Sequence, residues 1–240
     1  MEVLIIQPPT PALTAFDQTG GRASHISPPW NALCLLGFLR GRTRHSGRLF
    51  DARHRAHWQD ELADALVIPR PIEAAVIACD LRDETAVREV VNLLRKTFPQ
   101  MPLIGFGESP TFSPQKFTAA TGADYGLCGD PEPILRQLLD NIHVPFRRQR
   151  IASLVHAGSN GTSPLWTADL KTLALPNLAD ANFSAYETET YPHGLRFDMQ
   201  VSRGCSENPV DALLRPGNAP LRLTIPIAHF NPSRGSEGES

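Results

Sequence analysis

Thiols, imidazoles and carboxylates are the side chains of this sequence with the most chemistry in them, and their spacing decides what they can do. The four cysteines, Cys34, Cys79, Cys128 and Cys205, lie far apart. No close pair exists to clasp zinc or to start a disulfide framework. Cys34, Cys79 and Cys128 sit inside apolar stretches and read as small buried hydrophobes. Cys205, in "QVSRGCSENPVDALL" (Gln200 to Leu214), does not. His54 and His57 are three apart at a helix start and can face one way. A metal site needs a further ligand close by, and none is evident, so both read as surface histidines. His25, in a Gly/Ser/Pro loop, stays a candidate for ligand contact.

Asp51 and Asp80 each follow an apolar β run, which invites comparison with the acid pocket of a phosphoacceptor receiver. Such a pocket also needs acids after the first strand and a lysine after the fifth. The chain offers "QPPT" and "CGDP" there, and the comparison fails. No phosphate loop with lysine, no GxSxG and no HExxH occurs. "GFGESP" is too short and wrongly placed for a dinucleotide fingerprint, which belongs after the first strand.

Those side chains need elements to hold them. "EVLII" (Glu2–Ile6) is a β run stopped by Pro8 and Pro9. "PWNALCLLGFLRGRTRH" has helical apolar spacing, with Pro29 suited to a first turn and Gly47 beyond the end. "RLFD" (Arg48–Asp51) is a second strand, "AHWQDELADALVI" an amphipathic helix, and "AAVIACD" (Ala74–Asp80) a buried third strand. "DETAVREVVNLLRKTF" is the clearest helix, with Asp83 placed to cap it and Arg95 and Lys96 at its end. "PLIGFG" (Pro102–Gly107) is a fourth strand, Gln115 to Thr121 a short helix, "ADYGLCG" (Ala123–Gly129) a fifth strand, and "PEPILRQLLDNI" a last helix.

Five β–α units in a row predict an α/β fold over residues 1–143: a five-stranded, parallel, doubly wound sheet of flavodoxin or Rossmann-like type. Ligands of such sheets bind beyond the carboxyl ends of the strands. The ends to watch are Gln7–Thr10, Asp51, Asp80–Leu81, Gly105–Glu108 and Gly129–Asp130. Glycine at 105, 107 and 129 either admits a bulky ligand to the backbone or merely makes tight βα turns.

Residues 144–200 read as a loop-rich connector with a hairpin, "RIASLV" turning back as "PLWTA". Residues 201–240 hold prolines throughout and end "PSRGSEGES", so disorder is expected from Ser206 on. A net charge of −2 on 240 residues gives no general attraction to nucleic acid or anionic membranes. Arg147, Arg148 and Arg150 read as a solvated hinge. No run approaches the ~18 apolar residues of a membrane span, and "MEVLIIQPP" is too short for a signal peptide. A cytoplasmic protein is expected.

In order, these features resemble the N-terminal part of the cobalamin-binding-domain radical SAM family. Its members open with a strand and a "PP" loop, as in "VLIIQPPTP". A segment like "PPWNALCLLGFLRGRTRHSGRLFD" follows, then a Gly-rich fourth strand end ("LIGFGESP") and a fifth strand like "GADYGLCGDPEPILRQLL". A connector like "ADLKTLALPNLADANFSAYETETY" leads to "SRGC", the first cysteine of CxxxCxxC. The resemblance spans roughly residues 2–205.

The resemblance implies a corrinoid lying over the strand ends. The contacts would come from Gln7, Pro8, Pro9 and Thr10, from Asp80 and Leu81, from Gly105, Phe106, Gly107 and Glu108, and from Gly129 and Asp130. The DxHxxG of another cobalamin group is missing after the first strand, so no histidine below cobalt is expected. A [4Fe–4S] cluster that activates S-adenosylmethionine needs three convergent thiolates. Counting on from Cys205, the second and third positions hold Pro209 and Ala212. Cys205 is then a lone remnant, and neither cluster nor S-adenosylmethionine is expected in this chain. No catalytic residue is assigned. The simplest expectation is a truncated or frame-shifted family member that binds cobalamin. The alternatives are a corrinoid subunit serving a radical SAM partner protein, and a degenerate α/β interaction domain that binds no cofactor.

Overall fold

Strands buried on both faces need continuous apolar runs, and two interior strands of the sheet have them. In β1 (Glu2–Gln7) Val3, Leu4, Ile5 and Ile6 are all buried, and in β3 (Ala74–Ala78) so is every residue. A computed structural model describes residues 1–9, 28–67, 69–81, 83–159, 162–167, 172–176, 178–181 and 186, with the backbone of 202–203 and 222–223. The chain runs β1, α1 (Trp30–Arg42), β2 (Ser46–Asp51), a 3-10 turn (Ala52–His54), α2 (Trp58–Val67) and β3. It continues α3 (Glu84–Thr97), β4 (Leu103–Phe106), α4 (Glu108–Phe112), α5 (Pro114–Thr121), β5 (Tyr125–Leu127), α6 (Pro131–Asn141), α7 (Pro145–Arg148) and β6 (Leu154–His156).

The sheet order is β2-β1-β3-β4-β5-β6. β1 to β5 are parallel, and β6 closes the edge antiparallel to β5. The α/β, doubly wound expectation holds, with six strands in place of five. Alternate residues of each strand feed opposite cores. Leu4, Ile6, Ala75 and Ile77 meet α2 and α3 through Leu62, Val87, Val90 and Leu94. Val3, Ile5, Val76 and Phe106 meet α1 and α6 through Leu35, Leu39, Leu135 and Leu138. The chain reverses direction across the sheet between β1 and β3, which is the topological switch point.

Three local expectations change. The first hairpin arm is β6, but its partner is β5, with Leu127 opposite Leu154. The other arm turns elsewhere: the Leu165 N–H donates to Cys128 O at 2.9 Å and Leu165 O accepts from Asp130 N–H at 2.8 Å. The unpaired edge of β5 is a stronger attractor than a local turn. Asp83 stands at the N-cap of α3 without a capping side-chain bond. The arginines after 146 are not simply solvated, since Arg150 stacks on Phe146 at 3.8 Å and Arg148 lies 5.4 Å from the Tyr125 ring. The tail expected to be disordered lies outside the described residues, apart from backbone pairing of β7 (Ser202–Arg203) with β8 (Arg222–Leu223). Among the described residues, no helix is long and apolar enough to cross a membrane.

Gly105 and Gly126 are register partners on β4 and β5, and together they leave a hollow on one face of the sheet. The ring of Phe117, fully buried on α5, fills it, and a Cβ at either glycine would run into that ring. We predict that Gly105→Ala costs about 1–3 kcal/mol by overpacking, measured by chemical denaturation. Phe117→Leu in the same chain should recover part of that loss. An unchanged midpoint in Gly105→Ala would show that the hollow does not matter.

Candidate ligand rim of the sheet

The ends of β3 and β4 are stitched together at the carboxyl edge. The Cys79 N–H donates to Phe106 O at 2.7 Å, and the Ser109 N–H donates to Cys79 O at 2.9 Å. This brings the backbone of Gly107 against β3. Its φ is +114°, and a Cβ would lie 3.1 Å from Cys79 O, so glycine is required here by backbone geometry. α4 then carries the stitching to β5: the Thr111 hydroxyl donates to Gly107 O at 2.6 Å and accepts from Gly129 N–H at 3.0 Å. Neither α4 nor Thr111 was foreseen. A serine-proline pair in "ESPTF" hides a helix of five residues.

The predicted site residues divide into two groups. Gln7, Pro9, Asp80, Leu81, Gly107 and Glu108 have surface at the strand ends, and Leu81 is an apolar side chain 42% exposed. They straddle the switch point, from the end of β1 to the loops after β3 and β4. Pro8 is buried beside them. Gly105 and Phe106 are a correction. Both are buried, Phe106 is 1% exposed, and Gly105 is glycine because of Phe117. Neither offers surface to a ligand. Asp130, 3% exposed, is taken up by the connector, its carboxylate accepting from the Thr167 N–H at 2.5 Å. A Cβ on Gly129 would collide with the Leu165 backbone, so this glycine admits the chain's own connector. Thr10, His25 and Cys205 lie outside the described residues.

Acid chemistry concentrates beside the switch point. Burial pushes the Asp80 carboxyl up to about 6, the negative charges of Glu108 and Asp83 add to this, and Arg53 opposes it. Burial also raises Asp83, with Arg53 acting against it. Burial holds the Cys79 thiol far above its ordinary value and takes Cys128 to about 12, so both are inert, as small buried hydrophobes should be.

At the end of β2 the 3-10 turn makes a second cluster. Arg53 forks onto the Asp51 carboxylate, Nε to Oδ1 at 2.9 Å and Nη2 to Oδ2 at 2.6 Å, while the Tyr186 hydroxyl donates to Oδ2 at 2.6 Å. Burial would raise Asp51, but these bonds outweigh it and hold the carboxyl below its usual range. Asp51 is therefore a structural anchor and has no free oxygen to offer. His54 corrects the surface-histidine reading: it is half-buried, edge-on to Tyr186 with ring centroids 4.4 Å apart, and its buried Nε2 has no hydrogen-bond partner. Burial lowers its pKa, and Arg53 and Arg55 lower it further. His57 is exposed. Among the described residues no group of three or more His, Cys, Asp or Glu is placed to hold a metal ion.

No family model matches the sequence, and no curated protein matches it. Solved structures do match. The Cobalamin-dependent S-adenosylmethionine radical enzyme OxsB, with aqua-cobalamin and S-adenosylmethionine bound, superposes with a TM-score of 0.66 at 14% identity, over 85% of this chain and 27% of that one. The radical S-adenosylmethionine methyltransferase TsrM from Kitasatospora setae, with cobalamin and a [4Fe-4S] cluster bound, gives 0.53 at 17% identity, over 73% of this chain and 31% of that one. Both are radical S-adenosylmethionine enzymes whose structures hold cobalamin. At these identities the likeness establishes the α/β fold. This chain spans less than a third of the length of either enzyme.

Asp80 supplies a pH prediction. The folded protein keeps a proton on Asp80 up to about pH 6, whereas the unfolded chain releases it near the ordinary carboxyl value of 3.8. Stability is therefore lost as pH rises between those values, and Asp80→Asn removes that loss. Thermal unfolding should show Asp80→Asn more stable than the parent at pH 7.5 by about 1–2 kcal/mol, allowing for screening at a half-buried site. The difference should vanish at pH 4. A variant less stable at pH 7.5 contradicts the assignment.

Proposed function

We propose that this chain binds a corrinoid across the carboxyl rim of its sheet, at the switch point between β1 and β3. The observation that carries the reading is the set of groups with surface there. Pro9 and Leu81 offer apolar contact to a flat macrocycle, Gly107 keeps the adjoining backbone free of side chain, and Asp80 and Glu108 can accept hydrogen bonds from amide substituents. OxsB and TsrM, which share the fold, have structures with cobalamin bound, and this supports the same choice of ligand. The buried Gly105 and Phe106 act beneath the rim, as part of the platform.

A bound corrinoid would supply a cobalt centre for methyl transfer or related radical chemistry. The residues of this chain bind and orient it: Leu81 and Pro9 exclude water from its face, and Asp80 holds or releases a proton according to whether an amide N–H is offered to it. Cys205 is the single thiol after Cys128. Since a cluster needs three thiolates from one loop, this chain is read as a corrinoid module that does not start radical chemistry alone. A frame shift after the Cys205 codon would account for an "SRGC" segment followed by Pro209 and Ala212 where cysteines are expected, and sequencing the DNA past that codon tests it.

The functional test mixes purified protein with hydroxocobalamin and then desalts it. Corrinoid absorbance should travel with the protein, and Leu81→Asp, a change at an exposed position, should weaken retention about tenfold, the equivalent of about 1.4 kcal/mol. Protein treated separately with iron and sulfide should stay colourless. A protein that emerges colourless from hydroxocobalamin supports the interaction-domain alternative instead.

A further inference from the structure

The amino ends of the strands, at the far side of the sheet from the rim, border a cavity of about 740 Å³. That volume falls within the roughly 300–1,000 Å³ of small-molecule sites. Its apolar lining comes from the approaches to two strands and the end of a helix. Ile72 stands just before β3, Met101 and Pro102 just before β4, and Ile142 just after α6. Met101 and Ile142 are buried, while Ile72 and Pro102 are half-buried. Tyr125, the first residue of β5 and half-buried, adds an aromatic ring.

The charges around this cavity are not all balanced. Arg95 is neutralised: its Nη1 donates to Met101 O at 2.8 Å, and its Nη2 pairs with Asp124. Asp124 also accepts the Leu103 N–H at 2.8 Å. Glu73 accepts the Glu2 N–H at 2.7 Å, and its side chain is 54% exposed and so mostly hydrated. Arg148, at the end of α7, is different. Its guanidinium carbon lies 5.4 Å from the Tyr125 ring centroid, and Nη1 donates to Ile142 O. It has no carboxylate partner among the described residues. A guanidinium carries five N–H donors, so most of its capacity is unused. The ring and the carbonyl hold the fork in place before any ligand arrives.

Two more polar groups line the same cavity without a hydrogen-bond partner among the described residues, the Tyr125 hydroxyl and the His143 ring. Burial holds the Tyr125 phenol above its ordinary value against the opposing charge of Arg148, so it keeps its proton and can donate. We propose that this cavity is a second ligand site, for a small monocarboxylate with an apolar body. The carboxylate meets Arg148 and the Tyr125 hydroxyl, and the body lies against Ile72, Met101 and Pro102. One uncompensated guanidinium matches one negative charge. A phosphate dianion would bring a second charge beside Asp124 and Glu73, where repulsion counts against it. The inference is independent of what the rim binds, because the two sites lie at opposite ends of the strands.

Titration of octanoate into the isotope-labelled full chain, followed by amide NMR, tests this. Signals of Ile72, Met101, Tyr125 and His143 should shift together and saturate below about 10 mM, while those of Asp80 and Leu81 stay in place. Octanol, which has the same body without the charge, and octyl phosphate should each bind at least about threefold more weakly. Arg148→Gln should weaken octanoate about tenfold, and Tyr125→Phe, which keeps the ring, about threefold. Octanol that binds as tightly as octanoate overturns the proposal, as does tighter binding of octyl phosphate. Shifts at Asp80 and Leu81, no saturation, or unchanged affinity in Arg148→Gln would also overturn it. Should Arg148→Gln fail to fold, Tyr125→Phe decides by the same criterion.

Discussion

Two backbone hydrogen bonds tie the end of β3 to the loop beyond β4, and the carboxyl rim takes its form from them. With the Cys79 N–H on Phe106 O and the Ser109 N–H on Cys79 O, the chain at 107 must turn through a positive φ against a neighbouring carbonyl. Only glycine does this without strain. From that turn α4 starts, Thr111 fastens β5 into place, and the loops after β3 and β4 end with Asp80, Leu81 and Glu108 side by side near the switch point.

The same constraint separates rim from platform. Three glycines that look alike in sequence serve three different needs. Gly105 makes room for Phe117, Gly107 for a turn, and Gly129 for the passing backbone of Leu165. All three contacts are within the chain, so glycine content at the strand ends is weak evidence for a ligand. Exposed Leu81 and the half-buried carboxyl of Asp80 are better evidence, because an apolar group left in water and an acid kept partly out of it both cost free energy in the protein alone.

Much of the fold was legible in the sequence because its signals are local and strong. The runs "VLII" and "AAVIA" can only be strands buried on both faces, and Val87, Val90, Val91 and Leu94 lie on one side of a helix by spacing alone. What was hidden depends on distant partners. β6 is chosen by the free edge of β5, Asp130 is taken by Thr167, and Asp51 is claimed by a tyrosine 135 positions later. Asp51 and Asp80 looked equivalent as acids at strand ends. Arg53 and Tyr186 saturate the first and leave the second to Glu108 and Asp83, and no local pattern could distinguish them.

The central claim is that a flat macrocycle rests on this rim and nowhere else on the sheet. The measurement that reaches it most directly is a footprint: backbone amide exchange with and without hydroxocobalamin, read at peptides from both ends of the sheet. Peptides covering 79–83 and 107–109 should gain protection, while 99–102, at the amino end of β4, should not change. Protection confined to the amino end, or spread evenly over both ends, would contradict the claim.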